Sequence, residues 1–262
     1  MNKIILFIVF LLTMGCSKRQ DKNTPFILSE SCDESSALST CLTPKFSPEY
    51  YIEQGVKYFL TMQSDIPDSV QPFYSDRVIR WEWKPWLLLT GFTRKGLIET
   101  DILLKLNPTA YDTIDCRYFD QQPFCRCHVV FNYSGETCPI YEEFTYNDQG
   151  EITFIEAWSD FESLLPMGPG TDGFWDYEDY WGMGEVNRLS TRVPGLGNET
   201  GKIDLDSEAM SVAAQHDEVL NDMVKRAKDP VNTWIDQLIN NFDELNSGCE
   251  PPEGDEFPYY TP

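Results

Sequence analysis

From Ser47 onward the apolar positions fall into recognisable periods. Tyr50, Tyr51, Val56, Phe59, Leu60 and Met62 recur at helical spacing. Ser47-Pro48-Glu49 ahead of them supplies an N-cap serine, a proline at N1 and a first-turn acid, so a helix is predicted to begin there. Asp65 to Tyr74, punctuated by Pro67 and Pro72, reads as a turn and a short second helix. Arg77 to Trp86 is rich in β-formers and reads as a strand that Pro85 ends. Alternation along it puts Trp81 and Trp83 on one face, with Arg80 and Glu82 on the other. Gly91 to Leu106 predicts a further helix, capped by Thr93 and stopped at Asn107-Pro108.

Four strand-like runs follow, at about 110–118, 124–133, 138–146 and 151–159. Asp120–Pro123, Ser134–Thr137 and Asn147–Gly150 are turn signals between them, so they predict an antiparallel meander. The fold class is α+β. Residues 161–205 form an acidic stretch rich in aromatics, Gly and Pro. Two helices are predicted after it, Ser207 to Lys228 and Pro230 to Leu245, within a helical extension over 206–246. Residues 247–262 are an acidic, Pro-rich tail.

The N-terminus changes the picture. Met1-Asn2-Lys3 is a short basic start, and Ile4 to Met14 is an almost unbroken apolar run before Gly15-Cys16. That pattern is a secretory signal peptide over 1–15. The run is too short for a stable bilayer span, which needs about 20 residues. Leu12-Thr13-Met14-Gly15-Cys16 resembles a bacterial lipobox, with Thr13 as its departure. The resemblance implies lipidation at Cys16 and an outer-membrane or cell-surface lipoprotein; a periplasmic or secreted protein is the alternative. Residues 16–46 are polar and Ser-rich, as in a flexible tether.

Charge then removes whole classes of partner. With 43 acidic against 20 basic residues the formal charge is −23, which leaves no footprint for a nucleic-acid backbone. The membrane is approached only through the lipid anchor. Export permits disulfides. Seven cysteines remain beyond Cys16, so at least one is free or pairs with another chain. Cys32 and Cys41 bracket a short loop and can form a local bridge. Pairing about residues 120–123 sets Cys116 opposite Cys127, as a disulfide or as two buried thiols. Cys125-Arg126-Cys127 lacks zinc-site spacing, so no metal is assigned.

The order helix, helix, strand, helix and four-strand meander resembles the nuclear transport factor 2-like superfamily, in particular its SnoaL-like branch. Tyr51–Phe59 with Phe73-Tyr74-Ser75-Asp76-Arg77-Val78 resembles its opening helices and strand entry. Gly91–Leu104 resembles its third helix, and Glu143–Asp160 its closing hairpin. The resemblance covers about 47–160. It implies a cone, made of a strongly curved antiparallel sheet capped by helices around an apolar pocket. It does not choose a function, because relatives include isomerases, cyclases, hydrolases and non-enzymatic binders.

Enzymes of that fold place a carboxylate or His in the pocket. If 124–133 and 138–146 pair about Ser134–Thr137, Tyr133 faces Cys138 and His128 faces Glu143. Such a pair is either an oriented base or an outer-face polar pair. Asp101, in an otherwise apolar helix, is a third candidate. Trp81, Trp83 and Trp86, with Tyr74, are candidate pocket walls or ligand platforms. Relatives with epoxide-hydrolase chemistry have a carboxylate three residues before the final Asp; counting from Asp160, that position is Ala157, and Glu156 points to the opposite face. In the 168–185 loop, Trp175 and Trp181 interleave with acids, which suits stacking on glycans or oxygen ligation of Ca²⁺. The same aromatics would also pack over a pocket mouth or onto a partner in a homodimer. The expected function is binding of a small apolar or aromatic molecule, with cofactor-free acid–base isomerisation or cyclisation as the accompanying chemistry. The alternative is a non-catalytic surface module for glycans or Ca²⁺.

Overall fold

A computed structural model describes residues 43–83, 91–105, 109–133, 136–160 and 188–240. Helix α1 (Pro48–Leu60) precedes strand β1 (Tyr74–Glu82) and helix α2 (Arg94–Leu104). Strands β2 (Thr109–Tyr118), β3 (Cys125–Tyr133), β4 (Glu136–Tyr146) and β5 (Ile152–Ser159) follow. Helices α3 (Glu208–His216), α4 (Glu218–Lys228) and α5 (Pro230–Asn240) come last. The five strands make one open mixed sheet in the order β1-β5-β4-β3-β2. Strands β2 to β5 are the predicted antiparallel meander, and β1 adds in parallel beside β5. The class is α+β. No helix among the described residues is long and apolar enough to cross a membrane.

Local signals account for most boundaries. Thr93 caps α2 as expected, its Oγ1 accepting from the Gly96 N–H at 3.0 Å. The short helix expected within Asp65–Tyr74 is replaced by turns. Pro67 and Pro72 lack the N–H a helix needs, and each disfavours the α region for the residue before it. The chain instead runs extended into β1, with the Phe73 N–H donating to Gln54 Oε1 at 2.7 Å. The single helix expected over Ser207–Lys228 is two. Asp217 leaves helical geometry at φ −137° and caps α4, its Oδ1 accepting from the Val219 and Leu220 N–H groups at 3.0 Å.

Strand register contains one hit and one correction. Cys116 does lie opposite Cys127, and the two are disulfide-bonded. The β3–β4 register differs from expectation by two residues: Tyr133 faces Glu136, His128 faces Tyr141, and Glu143 faces Arg126. Glu136 and Thr137 extend the strand rather than the turn. A two-residue slip keeps every side chain on its face but changes its partner.

The sheet is covered on both sides. On one, α1 lays Tyr51, Tyr58 and Phe59 over the meander: Tyr51 is 4.8 Å from Tyr146, Tyr58 is 5.1 Å from Phe144 and Phe59 is 5.8 Å from Tyr111, ring to ring. On the other, residues from Arg188 onward tie to β4 and β5 through Glu143 and Glu156. Leu189, Leu196, Ile203, Met210, Leu220 and Met223 of that segment join the core. Strand β5 is consequently buried along its whole length. Its sequence, ITFIEAWS, is mostly apolar rather than strictly alternating, as burial of both faces requires.

Candidate functional site

Alternation on β1 sends Arg80 and Glu82 to the helix-covered face; β4 sends Glu142, Phe144 and Tyr146 there. Helix α2 turns Asp101 onto the same face, and α1 contributes Tyr58. These groups meet in a buried polar network. Arg80 Nη1 donates to Asp101 Oδ1 and to the Tyr58 hydroxyl, both at 2.8 Å. The Tyr74 hydroxyl donates to Asp101 Oδ2 at 3.3 Å. Glu82 lies 3.4 Å from Arg80 Nε, and Tyr58 is hydrogen-bonded to Glu142.

The electrostatics of the cluster are set by burial. Burial pushes the Glu142 carboxyl up to about 8; hydrogen bonding to Tyr58 and the charge of Arg80 oppose that, while Glu82 and Asp101 add to it. Glu142 therefore carries its proton at neutral pH. Burial also raises Asp101, against the pull of Arg80 and of its hydrogen bonds from Arg80 and Tyr74. Tyr58, Tyr74 and Tyr111 are all raised, chiefly by burial, so their hydroxyls remain donors. Arg80 is raised and stays charged, because Tyr58, Asp101 and Glu82 outweigh its desolvation. A carboxyl raised by burial, an ion pair and tyrosine hydroxyls thus share one buried site.

The candidates from sequence divide between the two faces. Asp101 and Tyr74 are part of this network. His128 and Glu143 are on the opposite face and do not pair with each other. His128 Nε2 is 2.7 Å from Asp160 Oδ2, and its ring lies 4.7 Å from that of Tyr141. Glu143 accepts two hydrogen bonds from Arg188, at 2.6 and 2.8 Å, and lies 3.2 Å from Arg126 Nε. Trp81 and Trp83 are also on that face, fully buried and edge-to-face at 5.8 Å. Trp83 Nε1 donates to Glu156 at 2.9 Å; the Leu189 and Ser190 N–H groups complete that carboxylate's partners at 2.6 and 3.0 Å. Trp86, Trp175, Trp181, Cys16, Cys32 and Cys41 lie outside the described residues, as does the 168–185 loop.

Arg80, Glu142 and Tyr58 were not among the sequence candidates. Alternation had already set Arg80 and Glu82 opposite two tryptophans in the middle of a strand, and a charged residue there needs a buried partner. Glu142 stands beside Glu143 in sequence, but the cross-strand pairing pointed only to Glu143. Among the described residues, one group of three possible metal ligands comes together: Cys116, Cys125 and Cys127. No protein-family model matches the chain, and no curated protein matches it.

Proposed function

We propose that the chain is an exported, lipid-anchored protein of SnoaL-like architecture. Its helix-covered sheet face forms the cone, and there it binds a small apolar or aromatic molecule. Its chemistry is cofactor-free proton transfer, of the isomerase or cyclase class. One observation carries the reading: the Glu142 carboxyl is buried among Tyr58, Arg80 and Asp101, and that burial pushes it up to about 8. A neutral acid in a dry site can protonate, or hydrogen-bond to, an oxygen that gains charge as an enol or enolate forms. Tyr58 links that acid to the fixed charge of Arg80. Asp101 balances Arg80 and is the nearby carboxylate able to take a proton.

The test is a panel of aromatic and polycyclic ketones and phenols, followed by tryptophan fluorescence and by product analysis. Some members are expected to bind and to be isomerised or cyclised. Glu142→Gln should leave binding nearly unchanged and slow turnover by about 10²–10⁴-fold. Equal turnover by that variant, or a panel with neither binding nor turnover, overturns the reading.

A further inference from the structure

Beside the Arg80–Glu142 network lies a second cluster that plays no part in it. The Sγ atoms of Cys116, Cys125 and Cys127 all fall within 4.8 Å of one another. Cys116 on β2 and Cys127 on β3 are directly opposite and disulfide-bonded. Cys125 is a free, fully buried thiol with its Sγ 3.8 Å from that of Cys127. The convergence follows from strand geometry: residues two apart share a face, so the Cys-Arg-Cys run on β3 presents both sulfurs to the one opposite.

Helix α1 is shaped to this cluster at Gly55. A Cβ there would lie 2.7 Å from Cys125 Sγ, 3.1 Å from Cys127 Sγ and 3.5 Å from Cys116 Sγ. All three sulfurs therefore point at one spot beneath the backbone of α1. The Tyr146 hydroxyl, which donates to the Tyr51 carbonyl at 3.2 Å, is also hydrogen-bonded to Cys125.

We infer that this cluster, once its disulfide is reduced, is a three-coordinate site for a soft monovalent cation, Cu(I). The reductant is a dithiol. It gives two electrons and two protons to the Cys116–Cys127 bond, leaves two thiols behind and becomes a disulfide itself. Capture of the cation then releases one proton for each sulfur that enters as thiolate. A metal–sulfur distance of about 2.3 Å in a trigonal site places the sulfurs about 4 Å apart. The separation of Cys125 and Cys127 already meets that. A donor set of sulfur alone selects soft ions over Mg²⁺ or Ca²⁺, and three donors rather than four disfavour structural zinc. The disulfide is thus the gate: oxidised, the cluster offers a single thiol; reduced, it offers three.

The experiment is an anaerobic titration of the folded, dithiol-reduced protein with Cu(I) against a chromogenic chelator. Circular dichroism checks the fold, and ultraviolet sulfur-to-copper charge transfer reports the bond. One equivalent is expected to bind, at least tenfold tighter than to the disulfide-intact protein, with copper–sulfur distances near those above by X-ray absorption. Cys125→Ser should lose that advantage. Gly55→Ala keeps all three sulfurs, crowds the space between them, and should weaken binding as well. Reduced protein that binds no tighter than the oxidised form or than Cys125→Ser overturns the inference, and so does reduction that unfolds the chain. Each of these readouts is separate from turnover, so the result does not depend on the acid–base reading.

Discussion

Glu142 and Glu143 are neighbours in sequence and opposites in circumstance. Strand alternation sends one to each side of the sheet, and both are almost completely buried. Glu143 meets two guanidinium groups, one of them through a two-pronged contact from Arg188. Glu156, two strands from Arg126 on the same face, is met by two backbone N–H groups and an indole. Glu142 has Tyr58 and a share of Arg80, which is already committed to Asp101 and Tyr58. The supply of positive charge and donors, rather than residue type or depth, separates a carboxylate that fastens the fold from a carboxylic acid held in reserve. One face fastens the segment from Arg188 onward through paired carboxylates, and the other holds a buried carboxyl with little compensating charge.

The contrast breaks most visibly at Arg188. Arg188→Ala leaves the buried Glu143 with Arg126 as its remaining guanidinium and cuts the tie between this segment and β4. Removing one partner of a buried ion pair costs about 3–5 kcal/mol. Urea denaturation should show a loss of that order. A loss under about 1 kcal/mol would mean that Glu143 is not fastened as its contacts imply.

Glu142 gives the next largest effect, and its sign is opposite to that of an ordinary paired carboxylate. Its folded pKa, about 8, lies above the unfolded value, so between about pH 4.5 and 8 the folded state binds the extra proton. Its contribution is fully present below that window and is lost as pH rises through it, at about 1.4 kcal/mol per unit. Between pH 5 and 7 the wild type should therefore lose about 2–3 kcal/mol relative to Glu142→Gln, which cannot ionise. Parallel stability curves for the two proteins would show that Glu142 is ionised in the fold after all.

Much of this arrangement is legible in the sequence, and the rest is hidden there for identifiable reasons. The Ser47-Pro48-Glu49 start of α1, the Thr93 cap and the turn spacing of the meander are local signals, and they placed their elements to within a few residues. The opposition of Cys116 and Cys127 followed from counting across a short link. The neighbouring count failed because Glu136 and Thr137 were assigned to the turn, and that choice moved Glu143 from Arg126 to His128. Asp217 read as helix interior because its capping role needs the break to be known. The contacts of Asp101 were invisible for another reason: Arg80 and Tyr74 reach it from a different element, 21 and 27 residues away in sequence. Coverage of both faces shows only weakly in sequence, in the mostly apolar run of β5.

The smallest effect sharpens the comparison most finely. Tyr74 donates to Asp101 over 3.3 Å, a longer contact than the 2.8 Å hydrogen bond from Arg80 to the same carboxylate. Tyr74→Phe removes a neutral donor and leaves the guanidinium in place, so the expected loss is about 1 kcal/mol. Losing that hydrogen bond also raises Asp101 further, since the Tyr74 hydroxyl helps to hold the carboxylate in its charged form. The variant should therefore unfold at slightly lower urea concentration, with the deficit largest at neutral pH and shrinking toward acid as Asp101 takes up its proton. A loss as large as that from Arg188→Ala would move the decisive interaction of the helix face from Arg80 to Tyr74. No loss would mean that Arg80 alone satisfies Asp101.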